Sequence, residues 1–88
     1  DENVRRELLR YVGVGMAIQR ACSQESVELC AGKLFSWEKS VSSFLRQHRF
    51  NSDAVNRWLA LPQANAASAT ADMKIKLDLL MPFVLGIE

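Results

Sequence analysis

The chain has 88 residues, of which 49% are hydrophobic and 24% charged, and a net charge of +1 at pH 7. That is the size of one small domain, and the balance argues against disorder. It also excludes a global electrostatic pull towards nucleic acid or an anionic membrane, so any such binding needs a local patch.

No run approaches the roughly 20 apolar residues of a membrane span. The start at Asp1-Glu2 is not a basic segment followed by an apolar block, so no signal peptide is visible. A mature or trimmed chain would lack one too, and secretion stays open. The apolar end, Val84-Leu85-Gly86-Ile87 before Glu88, suggests a domain cut from a longer protein.

Residues 3–21 read as a first helix with Asn3 as its cap. Val4, Leu8, Leu9, Val12, Met16 and Ala17 share one face at helical spacing, while Arg5, Arg6, Arg10 and Arg20 lie mostly on the other. Gly13 and Gly15 each weaken a helix by about 1 kcal/mol against alanine, and mark a kink or the close approach of another helix. Gly13-Val14-Gly15 lacks the glycine spacing and the lysine of a phosphate-binding loop.

Residues 23–34 read as a second helix, capped by Ser23 or Ser26, with Val27, Cys30, Ala31 and Leu34 on one face. The spacing also permits continuation through Trp37. A break near Gly32–Ser36 is preferred, because Ser36 can cap a new helix and Glu38 suits its first turn. The third helix, 37–48, then points Trp37, Val41, Phe44 and Leu45 inward.

Phe50-Asn51-Ser52-Asp53 is a turn rich in capping residues. A fourth helix, 53–61, buries Val55, Trp58 and Leu59 and is stopped by Pro62. Residues 63–71, rich in small side chains, read as a linker or long loop. From Met73 to Leu79 apolar and polar residues alternate as in a strand, yet Leu77, Leu80, Met81 and Val84 also fit a helix capped by Thr70. Helix is preferred, because a lone strand has no partner in the chain, although Pro82 is awkward inside one. The expected fold is all-α: a single domain over residues 1–88, a compact bundle of four to six short helices with antiparallel neighbours.

Cys22 and Cys30 would stand about 12 Å apart on one unbroken helix, beyond the roughly 7 Å limit for a disulfide. A turn at 23–26 would allow the bond. Two buried, reduced thiols are preferred, because nothing else signals an oxidising compartment. For the same reason the compartment, though not fixed, leans intracellular. His48 is the lone histidine and the cysteine spacing matches no zinc pattern, so no metal or cofactor is expected. A nucleophilic pair would need His48 beside Cys22 or Cys30. Asp53 is better explained as a first-turn carboxylate. No catalytic set emerges, and the expectation is a non-enzymatic protein.

Residues 44–59, FLRQHRFNSDAVNRWL, resemble a helix-turn-helix motif, with Phe44, Phe50, Val55 and Leu59 at its packing positions. The resemblance implies a DNA-binding domain with Ser52, Asp53, Asn56 and Arg57 towards the major groove and Arg46 and Arg49 on phosphates. Leu45, His48 and Arg49 depart from it, standing where the motif prefers a small residue, an apolar residue and glycine. Trp37 and Trp58 read as core; exposed, they would join Arg46, Arg49 and Arg57 as anchors for a partner protein. The leading expectation is a protein–protein interaction module, acting as adaptor or scaffold. The alternatives are the DNA-binding domain and a small secreted binding or inhibitor domain with a Cys22–Cys30 disulfide. A homo-oligomer is compatible with all three.

Overall fold

The computed structural model describes residues 2–86. These form helices α1 (Glu2–Ala21), α2 (Val27–Gln47), α3 (Ser52–Ala60) and α4 (Ala69–Leu85), with a single 3₁₀ turn over Ala66–Ser68. No strand occurs among the described residues, and the fold is an all-α bundle. Its helices are longer than expected, because the second and third expected helices are one.

α1 buries Leu8, Val12 and Gly15 and half-buries Val4, Tyr11 and Ile18. Leu9 and Met16, expected inside, are exposed. The buried stripe is therefore turned towards Gly15 rather than Met16. A Cβ at Gly15 would lie 2.6 Å from the Trp37 ring and 3.0 Å from Leu77, so the indole occupies the space a side chain would need. Gly15 is the close approach the sequence announced. Asn3, expected as a cap, lies within the first turn of α1.

The chain reverses over residues 22–26, where the Ser23 and Gln24 amides donate to the Arg20 and Ala21 carbonyls. Ser26 caps α2, its hydroxyl accepting from the Leu29 amide at 3.3 Å. This reversal brings the Cα atoms of Cys22 and Cys30 to 5.0 Å, and the two are bonded as a disulfide. The preferred expectation of two reduced cysteines is thereby corrected: the turn supplies the proximity that an unbroken helix would deny.

α2 runs through Gly32 and Ser36 without a break, a second correction. Its buried series Cys30, Leu34, Trp37, Val41, Phe44 and Leu45 forms one stripe at 3–4-residue spacing. Burying that stripe as a unit outweighs the roughly 1 kcal/mol cost of a mid-helix glycine. Val27, expected on the buried face, is exposed.

Asn51 caps α3 by accepting the Ala54 amide at 3.0 Å. α3 buries Ala54 and Trp58 and half-buries Val55 and Leu59, and it ends at Ala60, before Pro62. The expected linker is partly structured. Asn65 accepts the Ala67 amide at 2.8 Å, and Asp72 accepts the Asn65 amide and the Ser68 hydroxyl, both at 2.9 Å. α4 follows directly, with Thr70 inside its first turn rather than at its cap. Pro82 lies in its last turn, where it removes one i→i−4 hydrogen bond and only Phe83–Leu85 of the helix follow it. Gly86, at φ 78°, closes the helix in the left-handed region that glycine tolerates best.

Candidate functional site

The residues that sequence reasoning put forward for catalysis do not converge. Cys22 and Cys30 are spent in the disulfide, so neither offers a thiolate. His48 packs its ring 4.4 Å from that of Phe44 and 6.3 Å from that of Phe50. Among the described residues no three of His, Cys, Asp and Glu come together as a metal-binding group.

A buried charge pair was not foreseen. Lys76 is only 4% exposed, and its Nζ lies 2.5 Å from Glu38 Oε1. The Ala64 amide donates to the same carboxylate at 3.1 Å, and the ammonium sits 5.0 Å from the Trp58 ring centre. Trp58 meets Trp37 edge-on, its indole N–H donating to the Ser42 hydroxyl, while Trp37 donates to the Tyr11 carbonyl at 2.8 Å. These groups satisfy one another, and their arrangement joins α2, α3 and α4. Residues 73–79 alternate apolar and polar, yet Lys76 lies on the buried face of α4 with Met73 and Leu80, while Ile75 is exposed.

The two tryptophans are core residues, 4% and 2% exposed. The arginines separate from them. Arg46 is exposed on the outer side of α2, Arg49 lies in the 48–51 turn, and Ser52, Asp53, Asn56 and Arg57 are exposed on α3 opposite Ala54 and Trp58.

A concavity of about 710 Å³ lies between α1 and α2. Val14 and Ile18 form one wall, Leu29 and Gly32 the other, and Trp37 and Tyr11 also line it. Leu29 is 61% exposed although it directly precedes Cys30 of the disulfide. A Cβ on Gly32 would meet nothing within 4 Å, so the groove is open there. Charges of both signs rim it. Arg10 pairs with Glu7 at 2.5 Å, which holds the Glu7 carboxyl below the usual glutamate range through the hydrogen bond from the guanidinium. Lys33 pairs with Glu25, and Glu28 lies nearby. Of these groove residues, sequence reasoning had singled out only Trp37 as a partner contact. Val14, Ile18 and Leu29 carried no motif, and their exposure follows from how α1 and α2 pack.

No family model matches the chain, and no curated protein or solved structure matches it. The function is therefore argued from the chain's own geometry. No helix among the described residues is long and apolar enough to cross a membrane.

Proposed function

We propose that the chain is a non-enzymatic protein-interaction module whose α1–α2 groove receives an amphipathic helix of a partner protein. The observation that carries this is the exposure of Val14 and Leu29 on facing walls over Trp37 and Tyr11. Contiguous apolar surface rimmed by polar groups is characteristic of interaction sites. Two adjacent helices offer side chains at helical spacing, which suits a third helix with anchors at i, i+3 or i+4, and i+7. The rim charges, of both signs, suit a helix whose polar flanks also carry both.

The test is selection of displayed amphipathic helices on the intact protein, with counter-selection on Leu29→Asp. Val14, Leu29 and Gly32 are surface positions, so substitutions there leave the fold in place. Selected helices should shift the backbone amide resonances of residues 14–18 and 28–36, and Gly32→Trp should block them. Failure to enrich any helix, or resonance shifts confined to other faces, would remove this reading. Sedimentation showing a dimer that Leu29→Asp dissociates would replace the partner helix with a second copy of the chain.

The disulfide favours a second reading, a small secreted binding or inhibitor domain, since such bonds persist in oxidising compartments. It weighs against the intracellular leaning and is compatible with the same groove. The DNA-binding reading rests on Arg46, Arg49, Ser52, Asn56 and Arg57 alone. Asp53, exposed among them, weakens it by repelling phosphate.

A further inference from the structure

A smaller cleft, of about 300 Å³, lies on the opposite side of α2, between that helix and the segment that follows α3. Phe35, Lys39, Ser43 and Arg46 line it from α2, and Leu61 and Gln63 from across. Lys39 and Arg46 have no carboxylate partner among the described residues; Lys39 instead places its ammonium 5.5 Å from the Phe35 ring centre. Glu38 and Ser42 also border the cleft, but both are engaged inward. The Glu38 charge is matched by Lys76 and the Ala64 amide, and the Ser42 oxygen accepts from Trp58. What the cleft presents outward is two cations, a polar rim, and the apolar surface of Leu61 and of Phe35, which is 49% exposed.

We infer that this cleft binds an acidic peptide segment carrying one large apolar side chain. The charge pattern sets the chemistry. Lys39 and Arg46 are seven residues apart on one helix, about 10 Å along its axis. Two carboxylates three residues apart in a polyproline-like extended segment lie about 9 Å apart on the same side, within reach of both long cationic side chains. The apolar residue beside them covers Phe35 and Leu61. Phosphates of a nucleic acid would satisfy the two cations but leave that apolar surface unused, so a peptide is the better match. The inference stands apart from the α1–α2 groove, because the two sites share no residue.

The experiment is a resonance-shift titration of the intact protein with a short peptide containing Glu-Phe-Pro-Glu, at about 50 and 200 mM salt. Shifts should centre on residues 35–46 and 61–63, and the affinity should fall at least about threefold across that salt range. Lys39→Ala/Arg46→Ala should abolish binding and Phe35→Ala should weaken it. All three positions are exposed, and unchanged circular dichroism confirms an intact fold. A Gln-Phe-Pro-Gln peptide should not bind. Absence of shifts at millimolar peptide, equal binding of the glutamine peptide, or shifts at the α1–α2 groove instead would each overturn the inference. Tighter binding of random duplex DNA at the same residues would assign the cleft to nucleic acid.

Discussion

α2 is fastened at two places by opposite means, near its N-terminal end and at its middle. At its N-terminal end a covalent bond, Cys22–Cys30, ties the helix to the end of α1 across a short turn. Further along, Glu38 is held by Lys76 from α4 and by the Ala64 amide, with Trp58 of α3 beside the ammonium. A disulfide stabilises mainly by restricting the unfolded chain, and it works whatever surrounds it. A buried ion pair exists only inside the native enclosure, where each charge depends on the other remaining in place. The first fastening is therefore robust to its neighbours, and the second fails as a unit.

The largest expected effect tests that second fastening. Lys76→Ala or Glu38→Gln should each cost about 3–5 kcal/mol in denaturant unfolding, because the remaining buried charge is left uncompensated. The double replacement Glu38→Leu/Lys76→Met should recover much of that loss. It should not recover all, since the buried Ala64 amide would then lack an acceptor, a deficit of about 1–3 kcal/mol. Single variants that unfold within about 1 kcal/mol of the parent would mean that the pair behaves like a surface ion pair and locks nothing.

The covalent end should be worth less. Cys22→Ala/Cys30→Ala closes no loop, and for a loop this short the loss should be about 2–3 kcal/mol. Cys30 and Glu38 are eight residues apart on one helix, about 12 Å. The losses from opening the disulfide and from Lys76→Ala should then add to within about 0.5 kcal/mol. Strong coupling between them in a double-mutant cycle would contradict the separateness of the two fastenings.

Two glycines on the α1–α2 seam sharpen the contrast between closed and open faces. Gly15→Ala drives a Cβ into the buried Trp37 ring and should lose about 1 kcal/mol or more, despite the better helix propensity of alanine. Gly32→Ala meets open space and should gain roughly 0.5–1 kcal/mol. Thermal melts of the two variants should therefore move in opposite directions.

Those glycines also mark how much could be read in advance. Helical period, the Asn51 cap and Pro62 were legible locally, and they sufficed for the helical content, a turn before α3 (expected at 50–53, found at 48–51) and the inward set Trp37, Val41, Phe44 and Leu45. Gly32 and Ser36 misled, because a glycine and a capping residue are local signals and the stripe that overrides them is tertiary. Met16 and Gly15 could not be ranked for burial without knowing where Trp37 would lie. Lys76 was not singled out, since its partner Glu38 lies 38 residues earlier and no local pattern links them. The same holds for the candidate sites. Arg46 was visible as a surface cation, but its company with Lys39, Phe35 and Leu61 arises only when the segment after α3 folds back beside α2.

The smallest effect tests the edge of the charge-held site. Asp72 accepts the Asn65 amide and the Ser68 hydroxyl, and it feels the Lys76 charge; together these hold its carboxyl below the ordinary aspartate value of 3.8. A group whose folded value lies below its unfolded one adds stability above the unfolded value and loses it as pH falls through the folded one. The contribution is thus complete above about pH 5 and decays below about pH 4. Asp72→Asn removes the titration while keeping one acceptor oxygen. The stability gap between parent and variant should be constant from pH 5 to 7 and narrow on further acidification. A gap that persists unchanged to about pH 2 would mean that the Asp72 charge contributes nothing. The Asn65–Ser68 turn would then rest on hydrogen-bond geometry that the asparagine fails to reproduce, not on the ionised carboxylate.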